Sequence, residues 1–141
     1  MVVRLTGTMS EEQNLRFVRE LWEVIEEHGV EAALERTDPE VEWKPHPADG
    51  RVLTSGELLR FFREFQGERE FLEAKPYSFR AKGDLVLASG SFRLRGPDRL
   101  SEFQIHWVYE FENGSLVRAT SYAKRTEALE AIGLTETPQG A

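Results

Sequence analysis

A row of large apolar side chains at alternate positions between residues 103 and 111 constrains the fold more than any other feature. Its members are Phe103, Ile105, Trp107, Tyr109 and Phe111. Because successive side chains of a β-strand point to opposite faces of the sheet, this pattern predicts a strand with one strongly apolar face. A second layer of structure must cover that face to keep it from water. The dipeptide Asn113-Gly114, which follows the row directly, predicts a hairpin with a type I′ turn.

Helical periodicity in the first half of the chain predicts the covering layer. Apolar residues recur three or four positions apart between Leu15 and Ile25, after a capping box of Ser10 and Gln13. A short helix is expected over residues 30–35. A third helix, opening at Thr54 or Ser55, carries one apolar face formed by Leu58, Phe61, Phe62 and Phe65.

From residue 70 onward the period changes from 3.6 to 2, which predicts strands over 71–81, 85–95, 100–111 and 115–122. Pro76 marks an edge or a bulge in the first of these. Short strands are expected at 41–44 and 51–53, and a helical turn at 126–132. Helices followed by an antiparallel meander indicate one α+β domain over residues 10–134, with its helices on one face. Residues 1–9 and 135–141 are expected to be flexible ends.

Composition excludes several classes of function. The net charge of −7 argues against binding to nucleic acid or to an anionic membrane. The absence of cysteine excludes disulfides and thiolate metal sites. The sequence has no signal-peptide h-region and no apolar run near the ~20 residues of a membrane span, so we expect a cytoplasmic protein. The histidines lack metal-ligand spacing, and no phosphate-binding or dinucleotide motif occurs, so neither metal nor cofactor is expected.

Four phrases of the sequence, in order, resemble the nuclear transport factor 2-like superfamily and its SnoaL-like, polyketide cyclase-like branch. They are Asp38-Pro-Glu-Val-Glu-Trp43, Ser55-Gly-Glu-Leu-Leu59, Phe111-Glu-Asn-Gly-Ser-Leu-Val117 and Glu127-Ala-Leu-Glu-Ala-Ile-Gly-Leu134. The resemblance implies a cone-shaped, curved antiparallel sheet with helices on its concave face. It also implies a homodimer formed through the outer sheet face, where Gln104, His106 and Val108 lie beside Ser89, Ser91 and Arg93.

The resemblance further implies a cavity between the helices and the sheet. Its expected lining is Trp22, Trp43, Leu58, Phe62, Phe103, Ile105, Trp107, Tyr109, Phe111 and Tyr122. Such a cavity suits a small apolar or aromatic molecule, since tryptophan and tyrosine add a polar group to an apolar wall. The alternative is that these side chains only pack the core.

Candidate acid–base residues are few. By similarity to ketosteroid isomerases, the catalytic base would fall at Trp43 and the acidic oxyanion residue at Trp107, and neither side chain titrates. The remaining catalytic candidates are His46, near the expected cavity mouth, and the hydroxyl donors Tyr109 and Tyr122. The Asp-Arg-Asp set of the superfamily's epoxide hydrolases has no clear counterpart, although Arg118 and Asp84 are available.

Three functions therefore stay open. The chain binds a hydrophobic ligand without catalysis, or it is a cyclase, isomerase or hydrolase acting on a hydrophobic substrate, or it is a non-catalytic dimerisation or adaptor domain. A titratable side chain that projects into the cavity would favour the enzyme.

Overall fold

The computed structural model describes residues 6–46 and 51–134, with side chains described from Glu11 onward. The helices in these ranges are α1 (Thr6–His28), α2 (Val30–Glu35), α3 (Ser55–Gln66) and α4 (Arg125–Ala131). The strands are β1 (Glu42–Lys44), β2 (Glu70–Lys82), β3 (Leu85–Arg95), β4 (Leu100–Glu112) and β5 (Ser115–Tyr122). None of the described helices is long and apolar enough to cross a membrane.

The strands form one curved sheet in the order β1-β5-β4-β3-β2. All neighbouring pairs are antiparallel except β1 and β5, which run parallel. Residues 51–53, expected as a return strand, contribute only a bridge between Leu53 and Trp43. Pro76 lies on the edge strand β2 next to a register shift, where its missing N–H costs no ladder bond.

Local sequence explains most element ends. Thr54 caps α3 with a capping box, in which Glu57 N–H donates to Thr54 Oγ1 at 3.2 Å and Thr54 N–H donates to Glu57 Oε1 at 2.9 Å. Asn113 and Gly114 have φ values of 53° and 81°, as a type I′ turn requires. The start of α1 differs from the sequence expectation, because the helix begins at Thr6 rather than after Ser10. A capping box is a local preference and does not stop a helix from extending upstream.

Helices α1, α2 and α3 cover the concave face, and the main core lies between them and the sheet. Helix α4 is an exception to the expected arrangement, because it packs on the opposite, outer face. There Ala128, Leu129 and Ile132 form a second apolar cluster with Leu87 and Val108. The outward side chains of Leu87 and Val108 would otherwise present apolar surface to water, and burying them stabilises this position of α4.

Candidate functional site

An apolar space of about 330 Å³, the inner cavity, lies between the concave sheet face and the helices. Strand β4 supplies one wall, because its alternation directs Phe103, Ile105, Trp107 and Tyr109 to the same side. Helix α3 supplies the opposite wall with the apolar face that its sequence predicted, formed by Leu58, Phe61, Phe62 and Phe65. Residues of α1 and α2 close the space between them.

Seven of the ten side chains expected around the cavity line it: Trp43, Leu58, Phe62, Phe103, Ile105, Trp107 and Tyr109. Tyr122 borders the cavity, but its side chain packs against the outer cluster of α4, on the same face as His106, which lies opposite it in the strand register. Trp22 and Phe111 do not, and here the sequence expectation requires correction. Trp22 is 1% exposed and fills the core beside Gly90, where no side chain blocks it. Phe111 is 2% exposed and packs edge-to-face on Phe17 of α1, with ring centroids 5.9 Å apart.

Three aromatic residues of the wall were not predicted from the sequence: Phe61, Phe65 and Phe92. Phe61 and Phe65 belong to the apolar face of α3, so helical spacing alone could have placed them there. Phe92 lies directly opposite Phe103 in the register between β3 and β4. Alternation along β3 could also have placed Phe92 on the inner face, because its neighbours Ser91 and Arg93 were expected on the outer face.

Edge-to-face aromatic contacts hold the walls in place. Trp43 meets Trp107 with ring centroids 5.9 Å apart and planes at 85°. Phe62 meets Phe92 at 5.5 Å and 86°. Such pairs add about 0.5–1.5 kcal/mol beyond the area they bury, so the wall keeps its shape without a ligand.

Tyr109 places a hydroxyl group on this apolar wall. Its oxygen accepts a hydrogen bond from Trp22 Nε1–H at 3.1 Å, and its side chain is buried. Burial raises the pKa of Tyr109 far above its ordinary value, outweighing the opposing effect of the Trp22 hydrogen bond, so the phenol is neutral. No described residue accepts its O–H proton.

The indole groups of the two wall tryptophans differ. Trp43 Nε1–H donates to Ser55 Oγ at 3.2 Å, which ties the first strand to the start of α3. Trp107 Nε1–H has no hydrogen-bond partner among the described residues, yet it is not among the buried unpaired atoms. Tyr109 and Trp107 therefore bring two neutral donor groups to neighbouring inward positions of β4.

His46 and Ser121 supply polar groups at the ends of β1 and β5. The backbone N–H of His46 donates to Ser121 Oγ at 2.6 Å, which holds the end of the first strand against β5. Burial, together with the Glu127 carboxylate, raises the pKa of Tyr122, so this hydroxyl is also neutral at ordinary pH.

The other acid–base candidates lie away from the cavity. His28 is exposed at the end of α1. His106 is buried on the outer face, where the sequence analysis expected it. Arg118 pairs with Glu42 and Glu110 at 3.1 and 3.2 Å, and Asp84 lies in the β2–β3 turn. Within the described ranges no Asp or Glu lines the cavity, and no three His, Asp or Glu residues form a metal cluster.

The chain has the α+β fold of the nuclear transport factor 2-like class, in which helices pack on the concave face of a curved sheet. The sequence profile of the SnoaL-like domain matches residues 18–119, and the chain belongs to that family. No curated protein matches the chain as a relative.

Solved structures show the same fold at low sequence identity. An NTF2-like protein of unknown function from Burkholderia pseudomallei has a TM-score of 0.63 and 22% identity, covering 86% of this chain and 98% of its own. TerC, co-crystallised with polyporic acid, has a TM-score of 0.62 and 16% identity, and the match covers 85% of this chain and 97% of TerC. An LEH-like epoxide hydrolase from M. tuberculosis has a TM-score of 0.60 and 15% identity, and the match covers 86% of this chain and 90% of the hydrolase.

Proposed function

We propose that this protein binds a small hydrophobic or aromatic molecule in the inner cavity, and that the ligand carries an acceptor oxygen. The observation that carries the proposal is the combination of an aromatic wall with an oriented, neutral hydroxyl group. Apolar pockets with a few placed polar groups are the usual form of small-molecule sites.

The walls favour a flat ligand. Aromatic rings on β1, β3, β4 and α3 surround a space of about 330 Å³, so a flat ligand would contact rings on several sides. Burying such a ligand removes apolar area from water on both partners, at about 25 cal/mol per Å².

The polar groups favour an acceptor on that ligand. Tyr109 O–H and Trp107 N–H are donors, and no described carboxylate lines the cavity to receive a cationic group. A carbonyl, ether or quinone oxygen would satisfy them, whereas an amine would lose its hydration without compensation. The co-crystallisation of TerC with polyporic acid supports small-molecule binding in this fold.

Catalysis by a cyclase, isomerase or hydrolase is the second candidate. It is favoured by the position of His46 beside the cavity that contains the Tyr109 hydroxyl. Tyr109 would polarise a substrate carbonyl, and His46 would move the proton. The absence of a described carboxylate from the wall favours binding without chemistry.

Matched ligands test the binding proposal. Tryptophan fluorescence would be titrated with 2-acetylnaphthalene, which has a carbonyl, and with 2-ethylnaphthalene, which does not. The ketone should bind more tightly, and Tyr109→Phe should weaken ketone binding about two- to tenfold while leaving the hydrocarbon unchanged. Tyr77→Phe removes an exposed hydroxyl outside the cavity and serves as the control.

Trp107→Ala should abolish the response to both ligands because it removes part of the wall. Binding that survives this change, or an equal loss in Tyr77→Phe, would contradict the proposal. His46→Ala separates the two candidates, since an enzyme would lose turnover in this variant while its affinity persists.

A further inference from the structure

The Arg69 guanidinium lies against two aromatic rings that line the inner cavity. Its central carbon, Cζ, is 5.2 Å from the centroid of the Phe65 ring and 5.3 Å from that of the Phe103 ring. The two rings meet edge-to-face with their centroids 5.0 Å apart, so the three side chains, here called the rim cluster, contact one another. Phe65 belongs to α3 and Phe103 to β4, and the rim cluster therefore joins the two main walls of the cavity.

The rim cluster lies at the boundary between the inner cavity and water. Both rings line the cavity whereas Arg69 does not, so the guanidinium lies behind them. Phe65 is 36% exposed, and among the described residues that line the cavity it is the only exposed large hydrophobic side chain. A ring that faces the cavity and is also exposed forms part of the barrier between the cavity and the solvent.

Arg69 also holds the end of α3, which carries Phe65. Its Nε–H donates to the Gln66 carbonyl oxygen at 3.2 Å, and its Nη2–H donates to the carbonyl oxygen of Phe65. Gln66 Nε2–H donates in return to the Arg69 carbonyl oxygen at 2.8 Å. The last carbonyl groups of a helix have no partner within the helix, so these bonds stabilise the final turn. Arg69 therefore fixes both the ring of Phe65 and the backbone that supports it.

The rim cluster is the part of the aromatic wall that separates most easily. Trp43 and Phe92, which anchor the other edge-to-face contacts between wall residues, are 3% and 9% exposed. Neither Phe65 nor Phe103 is buried to that extent, and Phe65 lies in the last turn of its helix, where helices fray. Contacts between a cation and a ring are weak at exposed sites. Opening the wall here therefore disturbs fewer buried contacts than moving Trp43 or Phe92 would.

We propose that the rim cluster is the passage through which a ligand enters and leaves the inner cavity, and that Arg69 is the positioning residue that keeps this passage closed. The inference rests on the ligand binding proposed for the cavity. Passage requires the Phe65 ring to move away from Phe103, and Arg69 opposes this movement through its ring contacts and its bonds to the helix end. Because Arg69 stabilises the closed wall with and without ligand, it slows entry and exit alike and leaves the affinity unchanged.

Stopped-flow tryptophan fluorescence with 2-ethylnaphthalene, which needs no hydrogen bond, measures the two rates. Arg69→Met keeps a long side chain and removes the guanidinium. It should raise the association and dissociation rate constants together, each about five- to tenfold, with Kd unchanged within about twofold. Arg63→Met is the matched control, because Arg63 lies on the same helix but pairs with Glu31 at 2.7 Å, away from the rim cluster. Its rates should equal those of the natural protein.

Acrylamide quenching tests the passage without a ligand. Trp43 and Trp107 line the cavity, so a small quencher that enters through the rim cluster reaches their rings. The quenching constant should be higher in Arg69→Met than in the natural protein and in Arg63→Met. If no variant binds 2-ethylnaphthalene but quenching rises in Arg69→Met, the function proposed for the cavity is contradicted and the passage is supported.

Equal rates and equal quenching in Arg69→Met and the natural protein would overturn the proposal. A changed Kd with an unchanged association rate would also overturn it, because Arg69 would then act on affinity rather than on passage. Arg69→Lys provides the test if Arg69→Met does not fold. Lysine keeps the charge but lacks the planar group that stacks on the rings and reaches two carbonyls, so both rates should rise about two- to threefold. Rates equal to those of the natural protein would again contradict the proposal.

Discussion

At the scale of single residues, the glycine at position 90 determines where Trp22 lies. A Cβ atom at Gly90 would be 2.8 Å from a ring carbon of Trp22 and 2.5 Å from the carbonyl oxygen of Lys75. The missing side chain lets the Trp22 ring rest on β3, from where its Nε1–H reaches the Tyr109 hydroxyl. Gly90 therefore fixes the position of the Tyr109 hydroxyl indirectly, through the Trp22 ring that donates to it.

Gly90→Ala should therefore lower the free energy of unfolding by about 1–3 kcal/mol, because backbone atoms on both strands would have to shift. It should also weaken ligand binding through the displaced Tyr109. Urea unfolding measures the first effect. Gly56→Ala is the control, since a Cβ there meets nothing within 4 Å and alanine favours a helix. Equal free energies of unfolding for Gly90→Ala and Gly56→Ala would contradict the close approach of Trp22 and Lys75 to Gly90.

The expectation for Trp22, which the family resemblance implied as part of the cavity lining, was wrong at the residue scale. Helical spacing gives the face of a helix but not the depth at which a side chain ends. That depth depends on Gly90, which is distant in sequence and joined to Trp22 only by the packing of α1 on β3.

At the scale of elements, α4 decides how much of the outer sheet face is available to a partner. Its Leu129 is 1% exposed and packs with Leu87 and Val108, so this part of the face is already covered. The homodimer through the outer face stays a prediction, and it would have to use the surface that α4 leaves uncovered. A polar concavity, the outer pocket, lies at the start of α4 within that same face and is lined by Ser89, Gln104, His106 and Arg125 among others.

Leu129→Ala should cost about 2–5 kcal/mol of stability, the usual range for truncating a buried leucine. Glu130→Ala, at the exposed neighbouring position, should change stability by less than about 0.5 kcal/mol. Thermal and urea unfolding would measure both. A small effect of Leu129→Ala would mean that α4 is not docked on the sheet.

Element boundaries in the second half of the chain followed closely from sequence. Strands β3 and β5 have the predicted bounds, because turn residues flank an unbroken alternation. The parallel pairing of β1 with β5 was not predicted, since alternation shows which face a strand buries but not which neighbour it pairs with.

At the scale of the whole molecule, buried His106 links stability to pH. Its pKa is lowered in the folded state, while the unfolded value is about 6.5. The unfolded chain therefore binds the proton more readily, and the folded state loses relative stability as pH falls through about 6.5. Arg125, Lys124 and Tyr77 are the titratable groups that share the pocket with it, and Arg125 contributes to the shift.

Urea unfolding between about pH 7.5 and pH 5 should show a steeper loss of stability in the natural protein than in His106→Gln. His28 and His46 are present in both proteins, so the difference between the two slopes isolates His106. Parallel slopes would show that His106 titrates equally in the folded and unfolded states, contrary to its burial.

The sequence by itself determined the α+β class, the order of the elements, the apolar faces of α3 and β4, and the family resemblance that the SnoaL-like profile confirmed. These properties follow from periodicity and turn chemistry, which act over a few neighbouring residues. The tertiary structure alone decided the depth of Trp22, the outer position of α4, and the hydrogen bonds that join Arg125, Ser89 and His106. Each of these joins residues far apart in the sequence, and their contacts depend on strand order, register and packing, which local patterns do not specify.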